Sequence, residues 1–337
     1  MARSSKLSSS TKSQSGASSR LSPLLKGISK GKKLRVSGKS NSQSKTHKPR
    51  VCPKVNSKLT KKIDVFTNQK DYFKLDEVYE GCGFGTRAIH AGNTADPVHG
   101  GVIPSLELST TYKQPSPGQP SSCFDYSRCG NPTVLALQRN LASLEGCKFA
   151  FALNSGMSAT ISVMSLLKQG DHLLCIDDVY GGTQRYLRKV FTPQTGITWD
   201  MIDMSDLSLV KKALKKNTKI VWIESPTNPT LKCSDIAAIS RICKLNGSLL
   251  VIDNTFMSPA LQNPLKLGAD IAVHSMTKYL GGHSDVLGGA MMFNSDELYE
   301  KLYWNVLVMG TAQPPFEAFL AQRGAKTLDL RIRKSAQ

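Results

Sequence analysis

Lys278 stands between two hydroxyl-bearing residues, Ser275 and Thr277, in the stretch Val273-His-Ser-Met-Thr-Lys-Tyr-Leu-Gly-Gly-His-Ser-Asp285. The apolar run at 271–273 reads as the end of a buried strand, and Gly281 and Gly282 mark a turn. A lysine amine delivered there can condense with an aldehyde, and hydroxyls beside it can bond a phosphate. By itself the pattern also fits a solvated surface turn. Upstream, Leu249-Leu-Val-Ile-Asp-Asn-Thr-Phe256 reads as four apolar strand residues ending on an acid, Asp253. Such an acid would lie at the C-terminal edge of an open α/β sheet, where these sheets bind ligands.

An acid and a lysine at neighbouring strand ends require a sheet, and the chain predicts one. Strand-like runs fall at 149–153, 173–176, 198–202, 219–224 and 248–253, with helical patterns at 156–168, 183–190, 207–215 and 235–245. This alternation predicts an α/β fold, a mostly parallel sheet with helices on both faces. Asn154-Ser-Gly-Met157 offers free backbone N–H groups at a helix start, which suit a phosphate. Gly156 allows close approach and Ser155 can cap; an ordinary capped helix is the alternative. Asp125-Tyr-Ser-Arg-Cys-Gly-Asn-Pro-Thr133 holds a turn that opens a helix, with Tyr126 and Arg128 as a loop pair. Asp177-Asp-Val-Tyr-Gly-Gly-Thr183 sets Tyr180 just beyond a strand, and Glu224-Ser-Pro-Thr-Asn-Pro229 sets Asn228 between two prolines.

An acid at one strand end and a lysine at a later one are the two fixed points of a pyridoxal 5′-phosphate (PLP) site. The acid keeps the pyridine nitrogen protonated and the lysine holds the aldehyde carbon. In these six ordered stretches the chain resembles the PLP enzymes of cysteine and methionine metabolism, and within them the cystathionine γ-lyases. The resemblance runs from about Gly83 to near the last residue. It implies a PLP-dependent transferase-like fold (aspartate aminotransferase, fold type I) with PLP as cofactor. It assigns cofactor binding to Lys278, Asp253, Asn228 and Tyr180, the last stacked on the ring. Ser155, Gly156, Met157, Ser275 and Thr277 would serve the phosphate end, with Thr255 beside the ring and Arg185 supporting the tyrosine. Tyr126 and Arg128 would reach into the adjacent subunit's site, where a planar guanidinium can bond two phosphate oxygens. A homo-oligomer with shared sites, a dimer of dimers, follows.

The implied reaction is α,γ-elimination of L-cystathionine to cysteine, 2-oxobutyrate and ammonia, with hydrogen sulfide release as a side activity. Lys278 and Tyr180 are the implied catalytic residues, the first moving protons, the second protonating the leaving thiolate. Cystathionine β-lyase and γ-synthase activities stay open. Tyr180-Gly-Gly lacks the cysteine that methionine γ-lyases carry there, and Asp125 replaces a Glu of the γ-lyases. Met276 stands where the family commonly has Ala and could crowd the lysine segment. By the same resemblance, residues 76–112 form an arm that packs on a neighbouring subunit, and residues 113–325 form the large PLP domain. Residues 326–337 only begin a small C-terminal domain that is largely absent. That domain supplies the arginine gripping the substrate carboxylate; Arg331 and Arg333 precede the relevant stretch and do not take the role. The expectation is a cofactor half-site that binds substrate weakly.

The net charge of +19 belongs to the start of the chain. The first 62 residues hold 17 Lys and Arg and no Asp or Glu, leaving about +2 for the rest. Ser- and Lys-rich sequence with almost no aromatics predicts a disordered tail over 1–75. A solubilising arm, a nuclear-import pattern at 32–35, a mitochondrial presequence and non-specific nucleic-acid contact all fit it. A non-catalytic PLP-domain protein whose tail mediates binding is the competing functional class. No apolar run is long enough to span a bilayer, and a cytoplasmic protein is expected. Eight scattered cysteines without C-x-x-C pairs predict reduced thiols and no zinc site, and His274 and His283 carry no metal-binding spacing.

Overall fold

The computed structural model describes residues 65–337, Pro97 excepted. The basic pattern at 32–35, Cys52 and the tail readings lie outside the described residues. Composition predicts disorder to about residue 75, but the chain is already helical in α1 (Val65–Phe73) and a following 3-10 turn (Lys74–Tyr79). Aromatic anchors explain the difference. Phe73 packs edge-on against Phe149 with centroids 5.7 Å apart, and Tyr72 lies 6.2 Å from Phe124. Buried Gln69 also donates to the carbonyls of Cys123 and Cys129 at 3.2 and 3.1 Å. A few such anchors outweigh a polar average.

After α2 (Phe84–His90), the Gly-Asn-Pro turn opens α3 (Pro132–Glu145) as its residue types dictate. Asn131 caps it by accepting the N–H groups of Thr133 and Val134, proline occupies the first turn, and left-handed Gly146 ends it. Then come β1 (Phe149–Leu153), α4 (Gly156–Met164) and β2 (His172–Ile176). Next, α5 (Gly181–Tyr186) runs through a π turn into α6 (Thr192–Thr195), followed by β3 (Thr198–Ile202) and α7 (Leu207–Ala213). The chain continues as β4 (Thr218–Glu224), α8 (Ile236–Asn246), β5 (Leu249–Asp253), α9 (Ser258–Leu261) and β6 (Ile271–Ser275). It closes with β7 (Gly289–Phe293), α10 (Asp296–Met309), α11 (Pro315–Ala325) and α12 (Leu328–Ser335).

The seven strands form one sheet in the order β1-β7-β6-β5-β4-β2-β3. Only β7 runs antiparallel to its neighbours, so the sheet is mostly parallel, as the alternation predicts. Side-chain alternation sorts the core onto two faces. On β1, Phe149, Phe151 and Leu153 enter the larger cluster, which includes Trp222, while Ala150 and Ala152 face the other. Ala272 and Ala290 continue that small-residue surface on β6 and β7, where α3 and α11 lie close. Gly289 is required at the start of β7, because a Cβ there would overlap the Ser155 carbonyl. Strand β7 and helices α10, α11 and α12 extend the sequence reading. Leu328 and Ile332 of α12 are buried in the same cluster as α3 and β1. The described residues 65–337 fall within one compact unit. Among the described residues no helix is long and apolar enough to cross a membrane.

Candidate active site

The C-terminal ends of β2, β4, β5 and β6 point the same way, and a cavity of about 1210 Å³ opens there. Lys278, Asp253, Asn228 and Tyr180 all line it, as do Ser155, Gly156 and Met157, and Thr255, Ser275 and Thr277. Ten of the twelve site residues read from sequence therefore meet in one place. Tyr126 and Arg128 do not. Arg128 lies 5.3 Å over the Tyr126 ring and donates to the Leu307 carbonyl at 2.8 Å, away from this cavity. Arg185 is exposed one turn along α5 and is not part of the lining.

Strand register delivers the acid. Asp253 ends β5 and pairs with Val273 of β6 on one side and Glu224 of β4 on the other. Its Oδ1 accepts the Thr255 N–H at 3.0 Å, and the Thr255 hydroxyl accepts the Ser275 N–H at 2.8 Å. Thr255 thus laces the β5 end to the segment that carries the lysine. Burial pushes the Asp253 carboxyl above its ordinary value, with the hydrogen bonds from Thr255 opposing. Among the described residues no Lys or Arg pairs with it. A carboxyl so placed is matched to a cation supplied by a ligand.

The lysine turn is held by its backbone. The Lys278 N–H donates to Ser275 O at 3.2 Å, and Gly282 N donates to Lys278 O at 2.8 Å. The Thr277 hydroxyl both gives to and takes from the backbone of Gly288. The side chain of Lys278 is exposed to the cavity. Met276 faces the opposite way, fully buried beside the α3 cluster, so it crowds nothing in the site.

Opposite the lysine turn, Ser155 caps α4 by accepting the Ser158 N–H at 3.0 Å. The first helical N–H groups, those of Gly156 and Met157, have no acceptor within the helix, and both residues line the cavity, Gly156 beside Ser275. These are the donors a phosphate needs. Tyr180 lays its ring against Gly182, where a Cβ would strike the ring, with the Met157 sulfur beside the same glycine.

Four features escape sequence reading. Glu224 lines the cavity, is 4 % exposed, and accepts the Tyr180 N–H at 2.7 Å. Burial, with Asp253 alongside, pushes its carboxyl up to about 9. His274, fully buried, meets Glu145 at 3.0 Å across 129 residues of sequence. The loops after β2 and β4 are tied together: Asp178 accepts the N–H and hydroxyl of Thr230, and Lys232 reaches Asp177 and Asp203 at 2.8 and 2.9 Å. Finally, α12 walls the cavity with Leu330, Arg331, Lys334 and Ser335. The Arg331 guanidinium donates to the carbonyls of Tyr279 and Gly324, both at 2.7 Å, pinning the lysine turn. No group of His, Cys, Asp or Glu among the described residues is arranged to hold a metal, and the seven described cysteines are free thiols.

Residues 85–337 match the family described as Cys/Met metabolism PLP-dependent enzyme. The chain belongs to this family. Its cofactor is PLP, and the donor set fits: a lysine amine, a buried carboxyl without a protein cation, and unpaired N–H groups at a helix start. Among curated proteins, the chain is 49 % identical over 253 residues to a putative cystathionine γ-lyase 2 of Caenorhabditis elegans, covering 74 % of this chain. It is also 49 % identical over 251 residues to a probable cystathionine γ-synthase of Herpetosiphon aurantiacus, covering 74 % of this chain and 78 % of that protein. A solved cystathionine γ-lyase of Lactobacillus plantarum, in complex with L-serine, superposes with a TM-score of 0.71 at 41 % identity, covering 74 % of this chain and 64 % of that one. The chain spans 64 % of the length of the nematode relative.

Proposed function

We propose that this sequence serves a PLP-dependent carbon–sulfur lyase that cleaves L-cystathionine by α,γ-elimination to cysteine, 2-oxobutyrate and ammonia. The observation that carries this reading is the convergence of Lys278, Asp253, Asn228 and Tyr180 on one cavity at the strand ends. PLP, when bound, supplies an aldehyde for the substrate amine and an electron sink for the bond broken at Cα. Asp253 would hold the pyridine nitrogen, Asn228 the phenolic oxygen, and Thr255 and Tyr180 the ring. Ser155, Gly156, Met157, Ser275 and Thr277 would serve the phosphate. Lys278, within the cavity, takes the Cα proton and returns it further along the substrate, and Tyr180 is the acid for the departing thiolate.

The γ-synthase among the relatives supports a second reading, in which the same site joins a cysteine thiol to an activated four-carbon amino acid. We also propose a homo-oligomer. Tyr126 and Arg128 are exposed and turned from their own cavity, which suits residues that complete a neighbour's site.

The test is purified full-length chain supplied with PLP and then with L-cystathionine, alongside Lys278→Ala. A visible cofactor absorbance in the wild type alone, shifting with substrate as 2-oxobutyrate accumulates, is expected. Cofactor absorbance that ignores cystathionine but responds to cysteine plus an O-acylated homoserine would move the assignment to synthase. Failure to bind PLP would overturn both.

A further inference from the structure

We propose that Glu224 is a positioning residue: one buried carboxyl that holds the loops bearing Tyr180 and Asn228 together over the cavity floor. The inference rests on the cofactor reading above and gives work to a residue which that reading leaves idle. Glu224 ends β4 in register with Asp253, so the two carboxyls stand side by side on neighbouring strands. They face different partners. Asp253 takes the Thr255 N–H and opens to the cavity, whereas Glu224 takes the Tyr180 N–H at 2.7 Å and itself ends the strand that leads into the loop carrying Asn228. That bond joins the loop after β2 to the end of β4, and the loops after both strands carry residues that line the cavity. One side chain therefore fixes the distance between an aromatic wall and an amide.

The charge state decides how this works. Asp253 on β5 and Asp178 beyond β2 both disfavour a second anion here, and burial disfavours it more. Glu224 then acts as a neutral acid whose carbonyl oxygen still accepts the Tyr180 N–H, and Asp253 keeps the negative charge for the ligand. A neutral anchor leaves the Asp253 charge undiluted by a rival anion. An ionised one would draw any bound cation toward itself.

The test uses the full chain with PLP as probe, comparing Glu224→Ala, Glu224→Gln and Glu224→Asp. Two readouts are needed: the PLP dissociation constant and the circular dichroism of the visible cofactor band, which reports how the ring is held. Glu224→Ala should bind PLP about tenfold more weakly, the scale of one lost buried hydrogen bond, and lose most of the induced signal. Glu224→Gln keeps an acceptor for Tyr180 without charge, so affinity should recover to within about threefold, with the signal restored. Wild-type affinity and dichroism in a folded Glu224→Ala overturn the inference. So does a Glu224→Gln as damaged as Ala, since the carboxylate charge would then be what matters. If the Ala variant does not fold, Glu224→Asp decides: its acceptor is withdrawn by one methylene and should weaken binding relative to Gln, and equality of the two overturns the idea. Absence of PLP binding by the wild type overturns the functional reading and this inference together; binding indifferent to residue 224 overturns this inference alone.

Discussion

Replacing Glu224 by Gln should flatten the pH dependence of folding stability. The carboxyl is raised from its ordinary 4.5 to about 9 in the folded chain, by burial first and by Asp253 second. An acid raised in this way contributes stability fully present below its unfolded value. As pH rises, the unfolded chain releases the proton first, so the contribution is lost progressively between about 4.5 and about 9. One proton held by the folded state alone gives a slope of about 1.4 kcal/mol per pH unit. Between pH 5 and pH 8 this amounts to up to about 4 kcal/mol, a large part of the ~5–15 kcal/mol that holds a folded protein. Gln cannot ionise and keeps the Tyr180 hydrogen bond. Asp253 and Asp270, which burial also raises, remain in both proteins, so the difference reports residue 224 together with its repulsion of Asp253. Urea unfolding of PLP-free protein at half-unit pH steps measures it. The wild type should weaken more steeply than Glu224→Gln as pH rises, and parallel profiles would refute a protonated Glu224.

Asp253→Asn should separate stability from function: removing a buried carboxyl that has no protein cation raises the melting temperature of the PLP-free chain. Turnover with PLP should fall by orders of magnitude, and a melting temperature that falls instead would contradict the desolvated carboxyl. Gly289→Ala drives a Cβ into the Ser155 carbonyl and should cost about 1–3 kcal/mol in urea unfolding. It should also weaken PLP binding by shifting the start of α4, measurable by dialysis. Arg331→Met removes the donors to Tyr279 and Gly324. It should cost about 1–3 kcal/mol and broaden the cofactor band by freeing the lysine turn; an unchanged band would place Arg331 outside the site.

The parts legible in sequence are those with a period or a punctuation. Each parallel strand is visible as an apolar run of strand length, and Asn131-Pro132 announces α3 through its capping chemistry. Asp253 is legible because a charged side chain at the end of a buried strand must be offset by something, and a ligand at the sheet edge can do that; Lys278 is legible only in company with it and with the family's other motifs. What stays hidden depends on contacts between distant segments. The His274–Glu145 pair spans 129 residues, and no local pattern says that the last residue of α3 will lie under β6. Glu224 stands inside a recognisable motif, yet only register with Asp253 reveals that two carboxyls compete for one environment. The helix over 65–73 is hidden from composition because an average passes over Phe73 and Tyr72, whose aromatic contacts hold the end of α1 in place.

The same register explains why two acids at adjacent strand ends need not duplicate each other. Ionising both would put like charges side by side with little water to screen them, so one must keep its proton. Neighbours choose which. Thr255 donates its N–H to Asp253 and favours the anion there, and that carboxyl borders the space a cationic ring nitrogen would enter. Glu224 accepts the Tyr180 N–H, which by itself favours the anion, but burial and the neighbouring Asp253 outweigh that bond. A bound cation would bring Asp253 down from its raised value and, through the shared repulsion, hold the proton on Glu224 more firmly. Cofactor binding should therefore release fewer protons than Asp253 alone would give, because its neighbour is kept from ionising. Proton uptake or release on adding PLP, compared between wild type and Glu224→Gln, distinguishes this coupling from two independent acids: coupled sites give profiles that differ above pH 7, independent ones give the same.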